Sequence, residues 1–353
     1  LVSGYTIEKA AVIFLLVCYK VIDGFADVYE SEFQRNGNLH LTGKADIVAE
    51  LHTRNKSEAP EASVLNKIEQ QIEAKTGHTP VGITFDNQLN ITIDRQRVID
   101  TFAAYVSNYD SGNTKVRLKI EHTYRVAGLC QAIGKSIGLT GSDLDIAWLT
   151  GMLHDVGRFE QLRRYNTFYD DKSVNHAHLG CEILFDDGRI RDYIDDDFED
   201  ELIKRAIYHH SDYRIPQDFD ERTTMYCNIL CDADKVDILK VNCDFPLEEI
   251  YNATTQEIRN GEITDAVLEE FAKRHTILRA LKKTAVDNVP GHISLAFELV
   301  YDESVRQAVK QGYLDKMLAF KSDNPDTRRK MQEVNRIMRE YISERTLSGN
   351  TVD

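Results

Sequence analysis

From residue 94 onward, apolar residues recur three and four positions apart, the spacing of one buried face of an α-helix. Val98, Phe102 and Val106 follow this spacing, and Asp94 precedes them as a candidate N-cap residue. The same spacing predicts further helices at about 115–137, 142–154, 173–185, 198–209, 221–239 and 325–342. Because strand patterns are nearly missing here, the sequence predicts an all-α helical bundle over residues 93–345, followed by a tail at 346–353.

The first 92 residues have a different pattern and predict a small N-terminal appendage. Residues 1–45 are apolar and then mixed, whereas residues 46–92 are linker-like, with a short helix predicted at 64–75 and a hairpin at 82–93. The apolar run at 10–17 is shorter than the roughly 20 residues that span a bilayer, which favours a buried helix over a clipped membrane segment. Since the chain begins with Leu and not Met, the hypothesis that it is an accessory domain of a longer membrane protein also remains.

The net charge limits the kinds of molecule that the protein is expected to bind, and the cysteines indicate its redox environment. The formal net charge is -15, which argues against binding to nucleic acid duplexes or anionic membranes, where phosphates must be neutralised by basic residues. A small phosphorylated substrate remains compatible, because a bound divalent cation reverses the charge of a pocket locally. The six cysteines form no CxxC pair and lie mostly in apolar stretches, which is typical of reduced thiols in a cytoplasmic protein.

Histidines and aspartates carry the candidate chemistry. Six of the eleven histidines lie between residues 122 and 210. The pair His154-Asp155 ends the apolar run 147–153, where a charged pair is costly to bury unless a partner such as a divalent metal satisfies it. Taken alone, a surface dipeptide at a helix end is the better interpretation. A metal site becomes the better interpretation when two further residues are considered. These are His122, 32 residues before His154, and Asp234, 79 residues after Asp155, and each also lies in a predicted helix.

The order of these residues resembles the HD superfamily of metal-dependent phosphohydrolases. The matching pieces are His122 in HTYRVA, His154-Asp155 in HDVGR, His176 in HAHLGCEIL, the pair His209-His210, and Asp234 in ADKVD. The resemblance implies an HD-domain helical bundle. It also implies that His122, His154, Asp155 and Asp234 hold one metal ion. In members with two ions, Asp155 bridges them, and His176, His209 and His210 serve the second.

The ligand types and the family chemistry suggest the cofactor and the reaction. Imidazole and carboxylate ligands suit Mn, Fe, Co, Ni or Zn better than Ca, with Mg also possible, as one or two ions. A bound divalent cation lowers the pKa of its water from about 15.7 towards about 7, so the resemblance implies hydrolysis by metal-activated hydroxide. Asp155 and Arg158 are the predicted catalytic residues. Arg158 is the leading phosphate contact. Lys235 and Arg125 are weaker candidates, and for each of them a structural ion pair is the favoured interpretation.

The expected activity is hydrolysis of a phosphate monoester or diester, in a nucleotide or a related small molecule. Neither SDYRIP after His210 nor HDVGR matches the patterns of cyclic-di-GMP phosphodiesterases or guanosine-tetraphosphate hydrolases, so the substrate stays open. Segment 159–171 is predicted as a loop or lid. The alternative is a non-catalytic nucleotide-sensing module, either alone or appended to a membrane protein. The complete ligand set disfavours this alternative. The sequence leaves the oligomeric state open.

Overall fold

The computed structural model describes residues 92–348, and these residues form helices with no strand among them. In chain order the α-helices are α1 (Arg95–Val106), α2 (Thr114–Ser136), α3 (Gly141–Leu153), α4 (Val156–Tyr165), α5 (His176–Cys181), α6 (Ile190–Tyr193), α7 (Asp200–His209), α8 (Glu221–Asp244), α9 (Leu247–Tyr251), α10 (Thr255–Asn260), α11 (Asp265–Ala272), α12 (Asn288–Ile293), α13 (Asp302–Lys310), α14 (Tyr313–Leu318) and α15 (Pro325–Ser348). The all-α prediction is confirmed. The helix predicted at 64–75, the hairpin at 82–93 (its last two residues excepted) and the apolar run at 10–17 lie outside the described residues.

Capping side chains explain where several helices begin. The Asp94 carboxylate accepts hydrogen bonds from the backbone N–H groups of Gln96 and Arg97, as the sequence predicted for the start of α1. Asn324 caps α15 in the same way, immediately before Pro325 at the first helical position. α2 ends before Gly138, whose φ of 89° suits a residue without a Cβ.

The segment predicted as a loop at 159–171 is largely helical, so that prediction was wrong. α4 begins at Val156, directly after the His154-Asp155 pair, and buries Val156, Phe159 and Leu162 along one face. The spacing of these three residues is helical, but charged residues between them hid the pattern. The non-helical connection to α5 is therefore shorter, at residues 166–175, and contains one 3₁₀ turn.

α3 is the central helix of the domain, and α2 and α8 pack against it. Residues 146–153 of α3 are all buried, so this helix is apolar around most of its circumference. Gly151 permits the close approach of α2, because a Cβ at this position would lie 2.6 Å from the Cα of Ala127. This approach places the C-terminal end of α3, with His154, beside His122 of α2.

The C-terminal helices complete the domain around α8. α13 and α14 pack on α8, and α15 packs on α11, α13 and α14. Met331, Val334 and Met338 form the buried face of α15, so the predicted docking of the last helix is confirmed. The five cysteines of the described residues are free thiols, four of them buried. Within residues 92–348, the helices fall short of the length and apolar character that a membrane span requires.

Candidate metal centre

Four buried histidines converge from four different helices. His122 lies within α2, and His176 is the first residue of α5. His154 and His210 are the C-cap residues of α3 and α7. All four side chains are almost fully removed from solvent. Imidazoles are polar, so four of them buried together need hydrogen-bond or metal partners.

Each of the four rings uses its Nδ1 atom for a hydrogen bond to an oxygen acceptor. The distances are 2.6 Å from His122 to Asp237 Oδ2, 2.7 Å from His154 to Gly151 O, 2.7 Å from His176 to Asp170 Oδ2 and 2.6 Å from His210 to Ile207 O. Since each acceptor carries no proton to give, the ring proton is assigned to Nδ1. The Nε2 atoms of His154, His176 and His210 are left with a lone pair, which is the form that ligates metals, whereas His122 Nε2 lies 3.1 Å from Asp234 Oδ1 and can donate to it until a metal ion replaces the proton.

The four Nε2 atoms face one another in two pairs. His122 Nε2 lies 3.3 Å from His154 Nε2, and His176 Nε2 lies 3.1 Å from His210 Nε2. Burial lowers the pKa of His154 to about 4, and burial followed by Arg158 lowers the pKa of His176 to about 3. The rings of His154 and His176 are therefore neutral near pH 7, and each offers the lone pair of its Nε2 atom to a cation in its own pair.

His122 differs because carboxylates surround it. Burial and Lys119 both lower its pKa, but hydrogen bonds to Asp234 and Asp237 outweigh them and the pKa is raised. Asp234 Oδ1 lies 3.1 Å from His122 Nε2 and 3.9 Å from His154 Nε2. Burial alone would raise the pKa of Asp234, yet the hydrogen bond from His122 holds it far below its usual value. The carboxylate is thus ionised beside two ring nitrogens, as a metal ligand requires.

Asp155 stands between the two histidine pairs. Its Oδ2 atom lies 3.5 Å from Nε2 of both His122 and His154, whereas its Oδ1 atom lies 3.6 Å from Nε2 of His176. The first cluster is His122, His154 and Asp155, with Asp234 beside it; the second cluster is Asp155, His176 and His210. Within each trio the ligand atoms lie within 4.8 Å of one another. One carboxylate with an oxygen toward each trio has the geometry of a bridging ligand.

Lys119 is a member of the site that the sequence did not reveal. Its Nζ atom lies 2.6 Å from Asp155 Oδ2, and its side chain is 17% exposed. Burial would raise the pKa of Asp155, but Lys119 and then His154 hold it well below the usual value. Lys119 precedes His122 by one helical turn, and this i, i+3 spacing is the only signal for it in the sequence.

Arg158 lies at the second cluster, but most of its hydrogen bonds go to neighbouring residues of the protein. Its Nη1 atom donates to Gln161 Oε1, to the Phe168 carbonyl and to Asp170 Oδ1, at 2.7–2.9 Å. Its Nε atom is buried, has no hydrogen-bond partner and lies 3.6 Å from Asp155 Oδ1. Arg158 therefore braces the connection 166–175, and its contact with phosphate stays a prediction.

The other predicted site residues occupy different places. His209 does not join either cluster: its Nδ1 atom pairs with Asp212 Oδ2 at 2.7 Å, and its ring packs on Phe219. Adjacent helical residues point about 100° apart, so only His210 of the doublet faces the second cluster. This geometry does not support His209 as a ligand of the second ion.

Arg125 and Lys235 differ in their partners. Arg125 donates to both carboxylate oxygens of Asp237, at 2.7 and 3.0 Å, which is the structural ion pair that the sequence favoured for it. Lys235, next to Asp234 on α8, is half-buried and makes no hydrogen bond or ion pair to any residue within 92–348. Lys235 therefore remains available to a phosphate, whereas Arg125 orients Asp237.

Comparison with known protein families agrees with this geometry. Residues 120–239 match the family model of the HD domain, and this range contains every ligand of both clusters. Residues 120–239 of this chain form an HD domain. Neither the curated proteins nor the solved structures contain a significant match to it. The HD superfamily comprises metal-dependent phosphohydrolases, and the buried histidine and aspartate groups of this HD domain fit a divalent cation by their donor chemistry.

The carboxylates that accept hydrogen bonds from the ligand histidines should each affect the metal affinity of one cluster only. Asp237 orients His122, and Asp170 orients His176. Asp237→Asn should weaken metal binding at the first cluster, and Asp170→Asn at the second, each by about 10–100-fold. Titration with Co²⁺, followed by its visible absorption, measures both affinities. Asp212→Asn is the matched control and should change neither affinity; an equal loss from all three variants would contradict the assignment.

Proposed function

We propose that this protein is a metal-dependent phosphohydrolase that acts on a phosphate monoester or diester in a nucleotide or a related small molecule. One observation carries the proposal: four imidazole Nε2 atoms face each other in two pairs around a shared carboxylate, Asp155. Neutral imidazoles and ionised carboxylates are ligands for divalent transition metals. A divalent cation, when bound there, supplies water acidic enough to attack phosphorus near neutral pH.

The cationic side chains around the clusters suit a phosphoryl group. Lys119 and Arg158 approach opposite oxygens of Asp155, and Lys235 adjoins the first cluster. A carboxylate that ligates a metal attracts an ammonium less strongly, so Lys119 becomes available to a phosphoryl oxygen. Charge that develops on phosphoryl oxygens in the transition state is stabilised by such preorganised donors. In a chain of net charge -15, these cations offset the repulsion of an anionic substrate locally.

The test is a panel of nucleoside monophosphates, cyclic nucleotides, cyclic dinucleotides and simple phosphomonoesters, each with Mn²⁺, Co²⁺, Ni²⁺ or Mg²⁺. We expect release of phosphate, or of a nucleotide product, with at least one metal, and loss of this release in excess chelator. Tight nucleotide binding without turnover under all metals would contradict the proposal and favour a sensing module. Turnover that survives complete removal of metal would contradict the metal-dependent mechanism.

A further inference from the structure

Phe168 lies on the connection 166–175, beside the second cluster. Its ring centre lies 5.8 Å from Lys119 Nζ and 5.7 Å from Arg158 Cζ. A cation within about 6 Å of an aromatic ring centre is attracted by the negative face of the ring. One half-buried ring therefore contacts the charged groups of two side chains, which come from two different helices, α2 and α4.

The two cations that contact Phe168 are also the two that flank Asp155. Lys119 Nζ lies 2.6 Å from Asp155 Oδ2, and Arg158 Nε lies 3.6 Å from Asp155 Oδ1. The first of these oxygens faces the first cluster, and the second faces the second cluster. The ring of Phe168 thus limits where both cationic groups can lie relative to the carboxylate that the clusters share.

Hydrogen bonds hold the backbone of Phe168 in place without help from its side chain. Arg158 Nη1 donates to the Phe168 carbonyl at 2.7 Å. Two residues later, Asp170 Oδ1 accepts from Arg158 Nη1 and from Gln161 Nε2, each at 2.8 Å. Because none of these bonds uses an atom of the ring, a substitution of the ring should leave the connection anchored. The ring is therefore held in position before a substrate binds.

The contacts of Phe168 differ from those of phenylalanines in the core. Phe102 packs edge to face on Phe159, and Phe271 packs in the same way on Phe297. A core phenylalanine contributes apolar area, and leucine can supply much of the same burial. A ring that contacts cations contributes the charge distribution of its π face, which leucine lacks. Leucine substitution therefore separates the two roles.

We propose that Phe168 is a positioning residue of the phosphohydrolase, whose ring holds the charged groups of Lys119 and Arg158 where they bind the phosphoryl oxygens of the substrate. The inference rests on the proposed function and adds a residue that acts through two other side chains. Lysine and arginine lose much rotamer freedom when they are fixed. A ring that fixes them in advance removes part of this entropic cost from substrate binding.

The first test is calorimetry of the full-length, Mn²⁺-loaded protein with methylphosphonate, a phosphate mimic that resists hydrolysis. Phe168→Leu should weaken binding ~5–30-fold, the combined scale of two cation–π contacts, and should keep the metal content of the wild type. Phe168→Tyr restores a ring and should recover most of the affinity. Phe185→Leu is the matched control, because Lys204 lies 5.6 Å from this half-buried ring outside both clusters; it should change nothing.

A double-mutant cycle distinguishes positioning from packing. Phe168→Leu should weaken methylphosphonate binding less in a Lys119→Met background than in the wild type, because only Arg158 then remains for the ring to hold. For any substrate that is turned over, kcat/KM should fall by the same factor as the affinity in Phe168→Leu.

Three results would overturn the positioning role while turnover by the wild type upholds the phosphohydrolase. These are unchanged methylphosphonate binding in Phe168→Leu, equal losses in Phe168→Leu and Phe168→Tyr, and an equal effect of Phe168→Leu with and without Lys119. Conversely, the expected coupling between Phe168 and Lys119 in a protein that hydrolyses no substrate would contradict the proposed function alone.

Discussion

Asp155→Asn should abolish phosphate release while the protein stays folded. The substitution keeps the shape of the side chain but removes the negative charge that stands between both histidine pairs. Both clusters lose their shared ligand, so bound metal should fall to well below one ion per chain. Turnover should fall at least about 10³-fold, the upper range for loss of one electrostatic group at an active site. Elemental analysis of the purified variant and a phosphate-release assay measure the two effects.

The control for this experiment separates metal loss from unfolding. The asparagine amide oxygen can still accept the hydrogen bond that Lys119 gives to Asp155, so helical content by circular dichroism should match the wild type. Asp212→Asn, which changes a carboxylate beside His209 outside both clusters, should retain metal and turnover. A folded Asp155→Asn variant with wild-type rates would remove Asp155 from the mechanism.

Gly157→Ala should cause the largest loss of stability among single-methyl changes near the site. A Cβ at Gly157 would lie 2.1 Å from the carbonyl oxygen of His176 and 2.6 Å from the backbone nitrogen of Gly180. Both contacts are with backbone, which cannot move aside as a flexible side chain does. We expect a loss of about 3 kcal/mol or more, at the upper end of overpacking costs. At 2–4 °C per kcal/mol for a domain of this size, the melting temperature should fall by roughly 6–12 °C.

The same substitution should also disturb the second cluster, because α4 and α5 separate and His176 begins α5. A lower melting temperature and weaker metal binding should therefore both result from the separation of α4 and α5. Gly128→Ala in α2 is the matched control, since an added Cβ there meets nothing within 4 Å. It should leave stability unchanged or raise it slightly, as alanine favours a helix over glycine. Similar melting temperatures for Gly157→Ala and the wild type would show that α4 and α5 do not pack this closely.

The order of the helices and most ligands of the two clusters could be predicted, because local sequence patterns indicate them. Asp94 and Asn324 signal the starts of α1 and α15 through capping chemistry, and the buried residues of α2 and α8 follow helical spacing. The ligands His122 and Asp234 were found by their order in the HD pattern. The structure adds the reason that they suit a metal, since it brings their side chains within 3.1 Å of each other.

The rest depended on packing that sequence patterns do not encode. α4 was missed because its buried Phe159 and Leu162 are separated by the polar residues Glu160 and Gln161, which are themselves buried and interrupt the apolar spacing. The direction of His209 could not be separated from that of His210, because either member of a doublet can face inward until α7 is docked. Lys119 carries no motif, and its role follows only from its distance to Asp155.

The central claim is that two pairs of imidazole nitrogens, joined by Asp155, hold divalent cations. Anomalous scattering from crystals grown with Mn²⁺, recorded to locate the ion, tests it most directly. We predict a peak within about 2.0–2.3 Å of Nε2 of His122 and His154 and of an oxygen of Asp155, the range of metal–nitrogen and metal–oxygen bonds. A well-ordered protein in saturating Mn²⁺, with no peak at either histidine pair, would contradict the account.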